Sequence, residues 1–278
     1  MPDTYNYEYF NVTFPAEFVA QVEINRPEKL NAFIQKMWLN FSAIIKKLSL
    51  DPDCRAVIIS GAGPRAFTAG LDVQAASQGT LKKSDTDVAR KARKTRESII
   101  EFQDCITDIE RCGKPVIIVY HGISYGLGID MGVACDIRIA TKDVRLSVKE
   151  VDIGLAADIG TLTRLPKSGC SFSWVKEVAL TAREFYADEA LRVGFVSHVV
   201  ENKEAGIKKA IEIASLIASK SPVAVYGTKE LLNWSRDRPV DDGLKYTAIW
   251  NAGMIQTSDV ERAMLSGLQK RKPTFEKL

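Results

Sequence analysis

The fold class of this chain is most readable in the sequence PVIIVYHGISYGLGIDMG, which occupies residues 115–132. Residues 115–120 form a short apolar run rich in β-branched side chains, a pattern typical of a strand buried on both faces. A glycine-rich segment follows, and the apolar residues after it predict the start of a helix. Because a strand that turns tightly into a helix is the building unit of α/β proteins, this sequence predicts an α/β core.

The same alternation continues on both sides of this segment. Apolar runs predict further strands at residues 18–25, 55–60, 137–140, 145–148 and 195–199. Helical spacing of apolar side chains predicts a helix over residues 34–48, with its stripe at Ile34, Met37, Trp38, Phe41, Ile44, Ile45 and Leu48. A second helix is predicted over residues 86–112, with one face carrying Ile99, Phe102, Ile106 and Ile109.

The strand patterns stop after residue 203. Residues 204–219, 221–235, 241–254 and 257–270 have helical patterns instead. We therefore predict a core over residues 1–203 and a helical C-terminal region over residues 204–278. The apolar side chains of this region are suited either to packing within the chain or to packing on neighbouring subunits.

The composition is that of an ordinary globular protein and argues against several function classes. With 278 residues, 46% hydrophobic, 26% charged and a net charge of +3, charge alone predicts no nucleic-acid or membrane partner. No apolar run approaches the roughly 18 residues of a transmembrane helix. The five cysteines form no CxxC pair and indicate reduced thiols, and two histidines without an HExxH motif argue against a His-based metal centre.

One basic stretch, residues 82–96, leaves two interpretations open. It contains Lys82, Lys83, Arg90, Lys91, Arg93, Lys94 and Arg96. Such a run is typical of a solvated helix face, but it also suits the edge of a site that receives phosphates.

Three carboxylates, Asp130, Glu150 and Asp158, lie in apolar, glycine-rich sequence. Burial of a carboxyl raises its pKa, because desolvation disfavours the charged form. A raised pKa is what an acid needs to exchange a proton with carbon near neutral pH. Taken singly, each residue could equally serve as a helix cap or in a buried ion pair.

Two turns could present backbone N–H groups to an oxyanion. The first is FTAGLD, residues 67–72, and the second is GLGID, residues 126–130. The second is not a dinucleotide fingerprint, because Met131 stands where a third glycine is required, and no P-loop Gly-Lys-Ser/Thr follows. Tight packing of a strand against a helix would also explain either turn.

Taken together, these segments resemble the crotonase (enoyl-CoA hydratase/isomerase) family over residues 10–275. FTAGLD resembles the first oxyanion loop of the family, and the segments 114–122, 126–130 and ACDIR (134–138) resemble the second. The run VKEVDIGLAADIGTL at 148–162, with Arg164-Leu165-Pro166, is similar to the family's dienoyl-CoA isomerase branch. QKRKP, residues 269–273, resembles the C-terminal end of the family.

The resemblance implies a crotonase-type spiral of ββα repeats, a helical trimerisation region and assembly as a homotrimer or homohexamer. It implies that Leu71 and Leu127 donate backbone N–H groups to the thioester oxygen of an acyl-CoA substrate. Asp158 would exchange a proton near C2 and Glu150 near C6, with Asp130 orienting or tuning the pair. The residues implied for the coenzyme A channel are Ala69, Gly70, Leu71, Asp72, Val73 and Leu127. No metal or redox cofactor is implied, since coenzyme A arrives with the substrate.

The implied activity is conversion of 3,5-dienoyl-CoA to 2,4-dienoyl-CoA in fatty-acid β-oxidation. Alternatives are a hydratase or a Δ3-Δ2-enoyl-CoA isomerase of the same fold, or a non-catalytic relative that binds acyl-CoA or RNA through the basic stretch.

Two expectations concern particular residues. Leu127 stands where the family often has glycine, and it would be strained if the turn required a positive φ there. Glu276-Lys277-Leu278 resembles the peroxisomal Ser-Lys-Leu address, which favours the peroxisome over the mitochondrial matrix, although a charged tail explains it equally well.

Overall fold

The computed structural model describes residues 5–78, 87–269 and 271–278. The strands are β1 (Phe10–Ala16), β2 (Val19–Ile24), β3 (Ala56–Gly61), β4 (Ala66–Thr68), β5 (Val116–Tyr120), β6 (Ile123–Tyr125), β7 (Ile137–Thr141), β8 (Arg145–Ser147), β9 (Phe185–Tyr186) and β10 (His198–Val200). The helices are α1 (Gln35–Leu50), α2 (Val73–Gln78), α3 (Val88–Arg111), α4 (Leu127–Ala134), α5 (Thr161–Arg164), α6 (Phe172–Thr181), α7 (Ala187–Arg192), α8 (Lys203–Ala218), α9 (Pro222–Ser235), α10 (Val240–Met254) and α11 (Ser258–Leu268). The predicted α/β class is confirmed.

The strands form a large and a small sheet, and the chain alternates between the two. The large sheet has the order β1-β2-β3-β5-β7-β10, and all its neighbours except β1 and β2 run parallel. The small sheet has the order β4-β6-β8-β9. In each of the pairs β3–β4, β5–β6 and β7–β8, the first strand enters the large sheet and the second enters the small one. Helices follow these pairs, which gives the predicted succession of ββα units.

The core lies between the large sheet and the helices on its inner face. β3 and β5 are buried along their whole length, as expected for parallel strands covered on both sides. Helix α1 contributes the predicted apolar stripe, of which Met37, Phe41, Ile44, Ile45 and Leu48 are buried. On the opposite face of the sheet, α8 packs its small side chains Ala210, Ala214 and Ala218 against β3 and β5.

The C-terminal helices begin where their capping residues predict. Asn202 caps α8, Ser221 caps α9 ahead of Pro222, and Thr257 caps α11. Their bounds agree with the predicted ranges to within about two residues, the usual uncertainty of helix ends. Because α8 covers the large sheet, the exposed apolar side chains of the C-terminal region lie mainly on α9, α10 and α11.

One predicted strand is partly wrong. Residues 195–199 were expected to be extended, but β10 begins only at His198. The N–H groups of Phe195 and Val196 bond to the carbonyl of Ala190 and so close the end of α7, which leaves them unavailable to the sheet. Their apolar character reflects burial in the core instead. Within the described ranges, no helix is long and apolar enough to cross a membrane.

Candidate active site

The small sheet brings three segments of the candidate site to one edge. β4 pairs in parallel with β6, and β6 pairs in parallel with β8. Because parallel strands end at the same edge of a sheet, the segments that follow them lie side by side. β4 leads into residues 69–72, β6 into residues 126–127, and β8 into residues 148–150.

Hydrogen bonds to residues 30–33 fix the backbone of the first turn. Ala69 N–H donates to Leu30 O at 2.9 Å, and Asp72 N–H donates to Phe33 O at 2.9 Å. Gly70 has φ +97°, a backbone conformation that favours glycine. Among the described residues, the N–H of Leu71 has no acceptor within the chain, so it is available to a ligand.

The second turn places its positive φ at Gly126, not at Leu127. Gly126 has φ +51° and precedes α4 as its N-cap, and its N–H donates to Ser147 O at 3.0 Å. Leu127 is the first residue of α4 and has an ordinary negative φ. The strain expected at Leu127 is therefore absent. As the first residue of a helix, Leu127 has no carbonyl partner within α4 for its N–H.

The two turns contact each other directly. A Cβ placed on Gly70 would lie 3.2 Å from the carbonyl oxygen of Tyr125 and 3.7 Å from the amide nitrogen of Leu127. The backbone at residues 70–71 and the start of α4 are thus close enough for two N–H groups to converge on one oxygen atom. Two N–H groups in this arrangement form an oxyanion hole.

Glu150 lies beside the second turn. A Cβ on Gly126 would lie 3.1 Å from Glu150 Oε1, while Glu150 Oε2 is buried and has no hydrogen-bond partner in the described chain. Burial, followed by the charge of Asp130, raises the pKa of Glu150 to about 7. A carboxyl with this pKa is present in both protonation states near neutral pH, as a proton-exchanging group requires.

Asp130 is buried one turn into α4, with only 2% of its surface exposed. Its Oδ1 accepts two hydrogen bonds of 2.7 Å, from the N–H and the hydroxyl of Thr161. Burial raises the pKa of Asp130 to about 6, although the two bonds from Thr161 and the nearby Arg164 oppose the shift. Arg164 is itself held by Glu110, at 2.5 Å. The bonds from Thr161 therefore fix the Asp130 carboxyl in position.

Asp158 lies at the exposed side of the group. Partial burial still raises the pKa of Asp158. Its charge in turn contributes to the raised pKa of both Asp130 and Glu150, so all three carboxyls are close enough to interact. The backbone carbonyl of Asp158 accepts a hydrogen bond of 2.5 Å from Gln103 Nε2, which ties this segment to α3.

Asp72 and Val73 were predicted to line a coenzyme A channel, and their side chains differ in environment. The carboxylate of Asp72 pairs with Arg26 at 2.9 Å and also accepts the N–H of Ala75 at the start of α2. One bond falls on each carboxylate oxygen, and together they stabilise the turn. Val73 is exposed, so its side chain remains free to contact one.

One carboxylate next to the site was not predicted from the sequence, and it links strands of the small sheet through hydrogen bonds. Glu184 accepts hydrogen bonds from the Tyr125 hydroxyl, from Tyr186 and from the guanidinium of Arg145. These hydrogen bonds, above all those from Arg145, lower the pKa of Glu184 to about 2. The contact fixes Tyr125, the residue before Gly126, relative to β8. No local pattern signals it, because Tyr125 and Glu184 are 59 residues apart.

The fold and the oxyanion-hole site are those expected of the family that the sequence motifs resembled, and comparison with known families identifies the same family. The family described as enoyl-CoA hydratase/isomerase matches residues 16–277. This chain belongs to that family, as its motifs predicted. Among solved structures, an enoyl-CoA hydratase from Bacillus anthracis superimposes with a TM-score of 0.87 at 27% identity, covering 97% of this chain and 99% of its own. DspI of Pseudomonas aeruginosa also gives 0.87, at 26% identity and 99% coverage of both chains.

Within the family, this chain is similar to one particular enzyme. It is 45% identical to the mitochondrial Δ(3,5)-Δ(2,4)-dienoyl-CoA isomerase of Mus musculus over 277 residues, which are 99% of this chain and 84% of the relative. The peroxisomal Δ(3,5)-Δ(2,4)-dienoyl-CoA isomerase of Arabidopsis thaliana is 41% identical, with 92% of this chain and 91% of the relative covered. A short-chain enoyl-CoA hydratase of Clostridium acetobutylicum is 33% identical.

Proposed function

We propose that this protein isomerises 3,5-dienoyl-CoA thioesters to their 2,4-isomers in fatty-acid oxidation. Similarity to dienoyl-CoA isomerases over nearly the whole chain supports this activity. The structural observation that carries it is the group of three interacting carboxyls next to two turns with available N–H groups. A proton-transfer isomerase needs both parts, because it must stabilise negative charge on oxygen and move a proton between two carbons.

The reaction is a balanced proton transfer. A carboxylate removes a proton from C2, and the electron pair shifts through the diene as negative charge develops on the thioester oxygen. Each backbone N–H that donates a hydrogen bond to this oxygen can lower the barrier by about 3 kcal/mol. A carboxylic acid then protonates C6, which leaves double bonds at C2 and C4. No electrons are gained or lost, so the proposal includes no cofactor beyond the coenzyme A of the substrate.

Geometry favours Glu150 as the base at C2. C2 is bonded to the thioester carbon, whose oxygen would lie between the N–H groups of Leu71 and Leu127. Glu150 contacts the Gly126 turn, immediately before Leu127. This assignment is the reverse of the one that the resemblance implied, in which Asp158 acts near C2. The contact of Glu150 with this turn is the observation that supports the proposed order, because a base at C2 must lie close to the turn.

Asp158 then takes the distal position, where it would protonate C6. Its more exposed carboxyl can regain a proton from solvent between turnovers. Asp130 exchanges no proton with substrate in this proposal, because Thr161 occupies its Oδ1. Its negative charge raises the pKa of Glu150 and so makes that residue a stronger base.

Assembly and compartment follow as further proposals. The last three helices carry exposed apolar side chains that suit subunit contacts, among them Leu232, Val240, Leu244, Ile249, Met264 and Leu268. We therefore propose the trimer or hexamer that the resemblance implied. The named relatives are mitochondrial in Mus musculus and peroxisomal in Arabidopsis thaliana. We propose one of these two compartments for this protein.

Ultraviolet spectroscopy tests the activity directly. Purified protein mixed with a 3,5-dienoyl-CoA should produce the absorbance of a conjugated 2,4-dienoyl thioester. Glu150→Gln and Asp158→Asn should each abolish most of the rate. A protein that instead added water to a 2-enoyl-CoA and left the 3,5-diene unchanged would be a hydratase, and the proposal would be wrong.

A further inference from the structure

Two arginines of the basic stretch, Arg90 and Arg93, form exposed ion pairs on α3, while Lys82 and Lys83 lie outside the described residues. The relative placement of the two turns at the candidate active site depends instead on a buried residue of the small sheet.

Thr68, the last residue of β4, is completely buried and contacts both turns. Its hydroxyl donates to the carbonyl of Asn31 at 2.7 Å and accepts the N–H of Gly70 at 3.1 Å. Gly70 immediately precedes Leu71, whose N–H is one of the two proposed oxyanion donors. The hydroxyl therefore fixes the first turn one residue before its donor.

Asn31 is a rigid support for this hydroxyl. It is completely buried, and its side-chain amide donates to the carbonyls of Ala62 and Ala66, both at 2.9 Å. Its amide oxygen accepts the N–H of Arg26 at 2.9 Å. Because these bonds use both ends of the side chain, the Asn31 carbonyl that receives the Thr68 hydroxyl has a fixed position.

The methyl group of Thr68 faces the second turn. A Cβ placed on Gly128 would lie 3.2 Å from Thr68 Cγ2, so a side chain at Gly128 would press on this methyl group. Gly128 directly follows Leu127, the second proposed donor, in α4. The carbonyl of Gly128 also accepts the hydroxyl of buried Tyr120 at 2.9 Å. The first turn of α4 is thus held by a hydrogen bond and packs beside the Thr68 methyl group.

One rotamer of Thr68 provides both contacts. Rotation about the Cα–Cβ bond would move the methyl group away from Gly128, but it would also break both bonds of the hydroxyl. Neither serine nor valine carries a methyl group and a hydroxyl on the same carbon. We propose that Thr68 is a positioning residue that sets the separation of the Leu71 and Leu127 N–H groups. The inference rests on the proposed function, in which these two groups bind the thioester oxygen.

Thr68→Val and Thr68→Ser separate the two contacts. Thr68→Val keeps the shape but leaves the Gly70 N–H and the Asn31 carbonyl without their partner, so the first turn should shift. Because negative charge develops on the thioester oxygen only toward the transition state, kcat should fall by about ten-fold while KM stays within about two-fold. Thr68→Ser keeps the hydroxyl, and kcat should stay within about three-fold of wild type. A Thr68→Val protein with the wild-type kcat would overturn the proposal.

Gly128→Ala probes the methyl contact from the other side. Its new methyl group would meet Thr68 Cγ2, so α4 should shift and kcat should fall by about five-fold, although alanine suits a helix better than glycine. Adding Thr68→Ser removes the obstructing methyl group and should restore kcat to within about two-fold of the Thr68→Ser value. These variants keep the hydroxyl, so they test the proposal even if Thr68→Val fails to fold.

Gly126→Ala is the matched control for this rescue. Its added methyl group meets Glu150 and not Thr68, so Thr68→Ser should not restore its activity. Rescue of both glycine variants, or of neither, would overturn the proposal.

The absorbance of a bound 2,4-dienoyl-CoA measures donor placement without turnover. Two N–H groups on the thioester oxygen polarise the conjugated chain and shift its absorbance to longer wavelength. The shift seen with wild-type protein should shrink in Thr68→Val and persist in Thr68→Ser; an equal shift in all three would contradict the role of Thr68. If the wild-type protein shows the shift but converts no 3,5-dienoyl-CoA, the proposed function is wrong, whereas the role of Thr68 is still decided by the shifts of the variants.

Discussion

The carboxyl of Glu150 lies against Gly126, so close that a methyl group on this glycine would lie 3.1 Å from Glu150 Oε1. Gly126 also has a positive φ and immediately precedes Leu127. One glycine therefore permits both the turn that frees the Leu127 N–H and the approach of the acid. The turn and the acid are therefore structurally coupled.

Gly126→Ala should reduce catalysis more than it reduces stability. The positive φ makes alanine cost about 1–3 kcal/mol, and the new methyl group must displace either the turn or Glu150. The contact requires a shift of a few tenths of an ångström; since a misplacement of about 1 Å can cost about 10²-fold, kcat should fall by roughly several-fold to ten-fold. Gly194→Ala is the matched control, because Gly194 has φ +79° but no atom within 4 Å of an added Cβ. Both variants should melt at a lower temperature, and only Gly126→Ala should lose activity; equal kcat values would contradict the coupling.

The pKa of Glu150 should determine the acid limb of the pH profile of kcat/KM. As the base at C2, Glu150 must be ionised, so kcat/KM should fall as the pH drops below about 7, the pKa to which burial and Asp130 raise it. Asp130→Asn removes a negative charge that opposes ionisation of Glu150. The pKa of Glu150 should then fall, and the acid limb should move to lower pH.

A second variant controls for a general change of charge in the pH experiment. Asp152 is two residues from Glu150, but it is exposed and pairs with Lys149 at 2.7 Å. Asp152→Asn should leave the acid limb in place. A limb that stays fixed in Asp130→Asn, or one that moves equally in both variants, would exclude Asp130 as the group that tunes Glu150.

Lys229 should be important for stability although it lies far from the chemistry. Its buried ammonium pairs with Asp136 at 2.8 Å and donates to the carbonyls of Ile109 and Lys114. Lys229→Met leaves Asp136 without its cation, which typically costs about 3–5 kcal/mol for a buried pair. Urea denaturation measures the loss. Lys142→Met breaks the exposed pair with Glu201 and should have little effect; similar losses in the two variants would show that the buried pair has no special role.

The sequence was sufficient to predict most of the large sheet, strand β8 and most helices, but not β1 of the large sheet or β4, β6 and β9 of the small sheet. β3, β5 and β7 are apolar runs that any buried parallel strand requires. β4 and β6 have three residues each, too few for a periodic pattern, and they pair with strands distant in sequence. The small sheet nevertheless positions both turns and Glu150, so the absence of β4 and β6 from the prediction left the relative placement of these groups open.

The same limit applied to the candidate site. Asp130, Glu150 and Asp158 stand out in sequence because acids are unusual in apolar, glycine-rich segments. The contact between residues 126 and 150, on which the proposed role of Glu150 rests, joins residues 24 positions apart, and motif resemblance alone did not indicate it. The supporting contacts of Thr161 and Gln103 join residues 31 and 55 positions apart. No local pattern encodes contacts over such distances.

Hydrogen exchange at C2 tests the assignment of Glu150 as the base. The Asp158→Asn variant is incubated in D₂O with a 3,5-dienoyl-CoA, and the recovered substrate is examined by proton NMR. Deuterium should enter C2 while the 2,4-product fails to form, because Glu150 still removes the C2 proton but C6 receives none. Glu150→Gln should show neither exchange nor product. If Glu150→Gln exchanged at C2 and Asp158→Asn did not, the two acids would have the opposite roles.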